Sequence, residues 1–564
     1  MPSSLSLLYL ILLASLSLSC QPSPDASSIH TLTPEERARI DSLIAMDVPD
    51  DAPGMAVGIV SRGEVIYESY AGFANLADSL RLGPDFRFNI ASNGKQFTAL
   101  ATARLIHHLK LSLDDDIRTY FPNLLPDVAS PITIRHLLTH SSGIRDVYDL
   151  WSLQGKTWWQ ITSSNSDVID LLNQQTALNF EPGARYMYSN SNYILLAEII
   201  ASVEETTFRE ATDRLFDDLN MNSTSFETDY TAIRGPLARP YFNFDTWTTY
   251  DWVTNVAGDG ALFSTLPDQL RWESVIQSGH SYPLSADIVE QSQSLVPGSE
   301  IQTYGYGLEH GEYRGQPLLY HTGATGALKA VTYRFTDKQI SIVLLTNSGK
   351  VLPEYTIQAI TDVVLELPDS APQYQTEPTS PGPEITDDEL LGTYLTDGST
   401  MTFQFLEKED GIYLRRSGQN DIRLVREASN IFHQWNDRAF KLEFTTTGAG
   451  GRRVAAYYTT HAPYSLEKVT ADMTAVEPNH YTGRFLNDET GAEVEISQIS
   501  DDDYSLTLSG QTYSATLLTP ELMLAGSYRL TFPIDPASQI QQFFLDGDRI
   551  KNVEFSRMSG PQSP

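Results

Sequence analysis

Apolar stretches typical of strands lie near both ends of residues 30–366, and stretches with helical periodicity lie between them. The strand-like stretches are rich in Val, Ile and Leu and occupy residues 56–60, 65–70, 328–335 and 340–345. Apolar residues recur every three or four positions in the predicted helices at 97–109, 194–203 and 266–276. This order predicts an α+β domain with one antiparallel sheet, built from both ends of the segment and covered by helices.

The pattern changes downstream of this domain. Residues 367–386 contain five prolines, which remove backbone donors and stiffen the chain, so they are predicted to form a linker. Short strand-like stretches and turns follow, and the sequence LGTYL at 391–395 is similar to TGRFL at 482–486. This spacing predicts two small antiparallel β-barrels, at residues 387–472 and 476–558.

The first residues have the features of an export signal. Residues 1–24 carry no charged side chain, and their apolar stretch is shorter than the about 20 residues that a membrane-spanning helix needs. We therefore predict a signal peptide at residues 1–19 and a tether at 20–29. Cys20 directly follows a small-x-small pattern that resembles a bacterial lipoprotein signal, which predicts lipidation of Cys20 and a periplasmic or cell-envelope location. Ordinary secretion is the alternative.

Composition narrows the range of partners and cofactors. Asp and Glu number 72 against 38 Lys and Arg, giving a net charge of −34, which disfavours nucleic acid as a partner. The chain has one cysteine, which excludes an intramolecular disulfide and cysteine-based metal sites. The eleven histidines are scattered, so the sequence predicts no metal and no cofactor.

Ser92 and Lys95 stand three residues apart at the start of the first predicted long helix, so they share one face. A serine hydroxyl is a poor nucleophile until a base removes its proton. A buried lysine can act as that base, because desolvation lowers its pKa. The pair is therefore a candidate nucleophile and base.

Four later positions complete a candidate site. A tyrosine beside a cationic lysine can carry a depressed pKa and relay protons, which makes Tyr188 a candidate acid/base. Asn190 offers both a donor and an acceptor to a substrate amide. His321 precedes a predicted strand, and Gly323 is expected to let a substrate lie close to the backbone.

Five motifs, in this order along the chain, resemble those of the serine β-lactamase and penicillin-binding-protein superfamily, especially its class C-like branch. They are ASNGKQFTA at 91–99, IRHLLTHSSG at 134–143, YSNSNY at 188–193, GDGALFST at 258–265 and HTG at 321–323. The resemblance covers about residues 35–350 and implies a β-lactamase/transpeptidase-like fold. The two added barrels resemble bacterial D-aminopeptidases of the same superfamily, which also carry H-x-G in place of K-T-G.

The resemblance implies a role for each candidate residue. Ser92 would be the acylated nucleophile, Lys95 would help to activate it, and Tyr188 would be the general acid/base. The backbone N–H groups of Ser92 and Ala324 would form the oxyanion hole, and Asn190 would orient the substrate. Which group removes the serine proton is disputed within the superfamily.

The implied function is an exported serine hydrolase that acts through an acyl-enzyme on a small peptide, amide or ester, with D-aminopeptidase-like or esterase activity. Two alternatives are a β-lactamase or D,D-peptidase acting on peptidoglycan, and a non-catalytic penicillin-binding-like sensor lipoprotein attached to the membrane through Cys20. His321 stands where many relatives have a lysine, and an ordinary histidine is mostly neutral at pH 7. The sequence therefore predicts poor turnover of substrates with a free carboxylate where penicillins carry theirs. Penicillins and D-Ala-D-Ala carboxypeptidase substrates are examples.

Overall fold

A computed structural model describes residues 31–558 apart from short internal segments. These are residues 158–159, 279–283, 368–377, 379–380, 397–400, 417–420, 449, 459–462, 471–476, 501–502 and 534–538. The predicted signal peptide, the tether and Cys20 lie outside the described residues, as does most of the predicted linker. No helix within the described ranges combines the length and the apolar character needed to cross a membrane.

A six-stranded antiparallel sheet organises the first domain, and both ends of the domain contribute strands to it. Its strands, in spatial order, are Glu309–Tyr313, Gln316–Thr325, Leu328–Phe335, Ile340–Thr346, Met55–Ser61 and Glu64–Ala71. Ala56 lies opposite Leu345, which joins the early and late strands as the sequence pattern predicts. The predicted α+β class and the antiparallel sheet are therefore confirmed.

Helices cover both faces of this sheet. Within Met55–Ser61, Ala56 packs into the apolar cluster under the central helices, whereas Val57 packs under Pro34–Asp47 and Pro353–Val364. Because both faces are buried, this strand is apolar throughout rather than alternating. The helices between the first and last of these are Lys95–His107, Ile134–Leu138, Val147–Leu153, Asn165–Leu172, Asn190–Glu204, Phe208–Asp218, Leu266–Ser278 and Ala286–Ser292.

Short strands outside the central sheet support the region around the helices. They pair as Phe73–Asn75 with Leu80–Arg81, Tyr241–Asn243 with Trp247–Thr249, and Leu262–Ser264 between Phe88–Asn89 and Ser225–Phe226. The last of these sheets holds the segment that leads directly into Ser92. The helix predicted at 97–109 begins earlier, at Lys95, because a short 3₁₀ turn at Ala91–Gly94 leads into it.

Two closed antiparallel barrels of eight strands each follow, as predicted. The short helix Asp387–Leu390 precedes barrel one, whose strands are Gly392–Leu395, Thr402–Lys408, Gly411–Arg416, Ile422–Ala428, Ile431–Gln434, Asp437–Thr446, Arg452–Tyr457 and Tyr464–Lys468. The strands of barrel two are Gly483–Leu486, Glu493–Gln498, Asp503–Leu508, Gln511–Thr519, Leu522–Ala525, Tyr528–Thr531, Gln542–Asp546 and Val553–Arg557.

Barrel two packs directly against the first domain. Arg145 forms an ion pair with Glu489 at 2.5 Å, and both side chains are largely buried. The side-chain amide of Gln154 donates to the carbonyl of Thr490 at 2.8 Å, which ties the end of Val147–Leu153 to the barrel. Most buried apolar residues of barrel two also belong to the same apolar cluster as the central helices. The barrel is therefore part of the surroundings of the site described next.

Candidate active site

Ser92 lies on a tight 3₁₀ turn rather than on the long helix itself. Ala91, the residue before it, has a φ of +50°, a left-handed conformation that non-glycine residues seldom adopt and that often marks functional sites. The side-chain amide of Asn93 donates to the carbonyl of His321 at 3.0 Å and fixes the turn against the sheet. A β-carbon at Gly94 would lie 2.9 Å from Leu262, so packing explains this glycine. The turn thus holds Ser92 at a defined place beside the sheet edge.

Lys95 is fully buried and contacts Ser92. Its Nζ lies 3.0 Å from Ser92 Oγ, 2.9 Å from Asn190 Oδ1 and 2.6 Å from the carbonyl oxygen of Asp259. Burial lowers the pKa of Lys95 to about 7, although the nearby Asp259 carboxyl acts in the opposite direction. The structure therefore brings the two residues of the S-x-x-K motif together and gives the lysine a large neutral fraction near pH 7.

The contacts of Lys95 define which way its lone pair points when it is neutral. The oxygens of Asn190 and Asp259 can only accept hydrogen bonds, so they take the two hydrogens of the neutral amine. The third contact, Ser92 Oγ, then faces the lone pair. This is the arrangement needed to remove the serine proton.

Asp146 fixes the orientation of Asn190, and the sequence reasoning missed it. Its Oδ2 accepts from the backbone N–H of Asn190 at 2.7 Å and from Nδ2 at 2.8 Å, so Asn190 Oδ1 is directed at Lys95. Its Oδ1 accepts from the N–H of Tyr148 at 2.9 Å and caps the helix Val147–Leu153. Asp is one of the residues preferred at a helix N-cap, and this is the sequence signal that could have pointed to Asp146. Asn190 also lines the cavity, and its expected role in orienting the substrate stays a prediction.

Tyr188 is half-buried and packs against His140, with ring centroids 4.3 Å apart, and Lys95 Nζ lies 4.9 Å from the centroid of its ring. Burial holds the pKa of Tyr188 well above its ordinary value, and a hydrogen bond with Ser92 and the charge of Arg549 only partly oppose this. The expectation of a depressed tyrosine pKa is therefore wrong, because desolvation outweighs the nearby positive charges. At neutral pH, Tyr188 is a phenol that can donate a proton.

His321 is buried and neutral. Its Nδ1 lies 2.5 Å from the carbonyl of Thr322, which can only accept, so Nδ1 carries the proton. Its Nε2 therefore accepts from the hydroxyl of Tyr304 at 3.0 Å. Burial lowers the pKa of His321 to about 3, and the charge of Lys95 adds to this effect. Both ring nitrogens are engaged, so His321 has no donor left for the substrate contact that the sequence suggested.

Gly323 lies in the strand Gln316–Thr325 but does not line the cavity. A β-carbon there would meet the carbonyl oxygen of Ile90 at 2.1 Å and the backbone nitrogen of Asn93 at 2.9 Å. Packing therefore gives a sufficient reason for this glycine, and the expected access of substrate to the backbone stays a prediction. The glycine allows the strand to pack against the turn that carries Ser92.

One cavity of about 420 Å³ brings most of the candidate residues together. Its lining includes the predicted Ser92, Tyr188, Asn190, His321 and Ala324. It also includes Trp252, Asp259, Glu309 and Arg549, which the sequence reasoning did not single out. In the part of the chain that the structure describes, no group of three or more His, Cys, Asp and Glu side chains is placed to hold a metal ion.

The chain matches a known protein family and is similar to curated proteins. The family described as Beta-lactamase matches residues 41–364. A D-aminopeptidase of Cereibacter sphaeroides is 27% identical over 307 residues, which cover 52% of this chain and 57% of that protein. The chain thus spans little more than half the length of this relative. The protein flp of Staphylococcus aureus is 26% identical over 354 residues, covering 59% of this chain and 68% of its own length.

Two solved structures share the fold. A penicillin-binding protein homologue from Pyrococcus abyssi aligns with a TM-score of 0.53 and 24% identity, covering 77% of this chain and 99% of its own. A D-amino acid amidase from Ochrobactrum anthropi aligns with a TM-score of 0.51 and 20% identity, covering 59% of this chain and 99% of its own. At these identities the likeness concerns the fold alone.

Proposed function

The chain belongs to the beta-lactamase family, and on that basis we propose that it is a serine hydrolase in which Ser92 forms an acyl-enzyme with an amide or ester substrate. The observation that carries this proposal is the buried Lys95 amine, 3.0 Å from Ser92 Oγ and oriented by two acceptors. A buried lysine with a pKa of about 7 has little structural purpose, because its burial costs free energy. Its value lies in accepting a proton.

In the proposed reaction, the proton of Ser92 passes to Lys95 as the serine oxygen attacks the substrate carbonyl. The oxyanion is bound by the backbone N–H groups of Ser92 and Ala324, whose residues both line the cavity. Tyr188, held as a phenol, donates a proton to the departing amine or alcohol. Water then attacks the acyl-enzyme, its hydroxyl joining the acyl group and its other proton restoring the Ser92 hydroxyl. The proton held by Lys95 returns to Tyr188, and the acid is released.

The substrate class is tested by comparing kcat/KM for four kinds of compound. These are a D-amino acid amide, a short p-nitrophenyl ester, a D-Ala-D-Ala peptide and a cephalosporin. The D-aminopeptidase relative and the S-x-x-K geometry support turnover of amides or esters. We expect hydrolysis of at least one compound that is lost in Ser92→Ala. If none is hydrolysed while an acyl-enzyme still forms and persists, the sensor alternative is correct instead.

We also propose that the chain is exported and that Cys20 is lipidated. Support comes from the uncharged, apolar residues 1–19 and from the position of the single cysteine directly after them. Expressed with its first residues in a bacterium that processes lipoproteins, the wild-type protein is expected to partition into detergent, and Cys20→Ser is expected to remain in the aqueous phase. A mature protein whose N-terminal peptide carries an unmodified cysteine by mass spectrometry would contradict lipidation.

A further inference from the structure

Barrel two contributes a side chain to the active-site cavity. The segment 547–552 connects the strands Gln542–Asp546 and Val553–Arg557 and reaches the first domain next to Asp146. Arg549, in the middle of this segment, lines the same cavity as Ser92. More than 450 residues separate the two positions along the chain, so the site is complete only when the barrel is docked.

The backbone of the segment is fixed by groups of the first domain. The N–H of Arg549 donates to Asp149 Oδ2 at 2.7 Å, and its carbonyl accepts from Asn179 Nδ2 at 2.9 Å. Asn179 also accepts from the N–H of Lys551 at 2.7 Å through Oδ1. These bonds on both sides hold Arg549 in place before any ligand arrives, which is the preorganisation that a binding residue needs.

The guanidinium of Arg549 lies over the ring of the active-site tyrosine. Its central carbon is 5.0 Å from the centroid of the Tyr188 ring. The closest carboxylate oxygens are 3.5 Å away in Asp548, a side chain that is 83% exposed, and 3.9 Å away in Asp146. Among the residues that the structure describes, the guanidinium donates no hydrogen bond, and the side chain is 37% exposed. Its N–H groups are therefore available to a molecule in the cavity.

Arg549 supplies the positive charge among the described residues that line the cavity. Of the described residues that line the cavity, Arg549 is the only Lys or Arg. Burial raises the pKa of both Asp259 and Glu309 and so favours their neutral forms, while His321 is neutral. One guanidinium, with the Asp146 carboxylate 3.9 Å away, offers too little positive charge for a dianion such as phosphate. The cavity thus suits a ligand with one negative charge.

We propose that Arg549 binds a carboxylate group of the substrate, so that the enzyme prefers amides or esters that carry an acid near the scissile bond. The planar guanidinium forms two parallel hydrogen bonds with a carboxylate, which gives both affinity and orientation. This inference rests on the proposed function at Ser92. It also reverses the preference expected from His321 alone, because barrel two supplies the charge that the histidine lacks.

Two matched substrate pairs test the proposal in the full-length protein. On the acyl side, mono-p-nitrophenyl glutarate is compared with its methyl ester. On the leaving-group side, the m-carboxyphenyl and m-carbamoylphenyl esters of phenylacetylglycine are compared. The wild type is expected to favour the anionic member of at least one pair in kcat/KM. In Arg549→Gln that ratio is expected to fall by about tenfold or more, the usual effect of losing hydrogen bonds to a charged group.

Two further variants serve as controls. Arg549→Lys keeps the positive charge but not the two parallel N–H donors of the guanidinium. Its ratio of kcat/KM for the anionic and neutral substrates should therefore lie between those of the wild type and Arg549→Gln. Arg484→Gln removes an exposed arginine of the same barrel, paired with Glu493, and should leave the ratio unchanged. Equal ratios in wild type and Arg549→Gln for both pairs would overturn the proposal, whether or not the rates fall. Full turnover of these esters by Ser92→Ala would instead refute the proposed function.

Discussion

Ser92→Ala is expected to lower kcat/KM by about 10⁴-fold or more and to abolish labelling by a fluorophosphonate, because losing the nucleophile of a covalent mechanism leaves only binding and oxyanion stabilisation. The substitution removes one oxygen from a half-buried side chain and leaves the turn intact, so the melting temperature should change little. The measurement is steady-state hydrolysis of a p-nitrophenyl ester together with thermal unfolding.

Ser42→Ala provides the matched control. Ser42 lies on the exposed face of the first helix, Pro34–Asp47, where its hydroxyl donates to the carbonyl of Ala38 at 2.8 Å. Its loss should leave both labelling and turnover at the wild-type level. Labelling that survives in Ser92→Ala would show that the reactive serine lies elsewhere.

Replacing Lys95 is expected to have the second largest effect. Both Lys95→Ala and Lys95→Arg should slow acylation by about 10²- to 10⁴-fold, the usual range for losing a general base. Arginine keeps the positive charge but cannot give up its proton, so it cannot accept one from Ser92. Equal losses in the two variants would identify proton acceptance, rather than charge, as the role of Lys95. An active Lys95→Arg enzyme would contradict that role.

The pH dependence of the wild type follows from the same group. The pKa of Lys95 is lowered to about 7, and only the neutral amine, which dominates above that pH, can take the serine proton. kcat/KM should therefore rise as the pH increases through about 7 and level off above it. A rate that is constant from pH 5.5 to 8.5, or one that falls over this range, would conflict with Lys95 as the base.

The pairing of Ser92 with Lys95 is predictable from local spacing, whereas the predicted Tyr188, Asn190, His321 and Ala324, which line the cavity, depend on the resemblance to a known superfamily. Ser92 and Lys95 are three residues apart at a helix start, and the fold could hardly separate them. The strand Met55–Ser61 was predictable because both of its faces are buried, which leaves an unbroken apolar stretch. The strand Gln316–Thr325 was not identified as a strand, because its proline, glycine and polar residues interrupt the alternation that marks a strand.

The parts that the sequence did not predict depend on contacts between distant segments. Asp146 acquires its role only when its carboxylate meets Asn190 across the helix packing, and Arg549 only when barrel two docks. The raised pKa of Tyr188 comes from desolvation by segments distant in the sequence, which no local pattern records. The close packing of Gly323 against Ile90 likewise depends on the fold and has no local signal in the sequence.

Mass spectrometry of the trapped covalent intermediate tests the central claim most directly. The protein is incubated with a fluorophosphonate or a slowly released ester, denatured, digested and mapped. One adduct is expected per chain, on the peptide that contains Ser92, and its formation should be suppressed in Lys95→Arg. An adduct on a different residue, or continued hydrolysis with no covalent species on Ser92, would contradict the account.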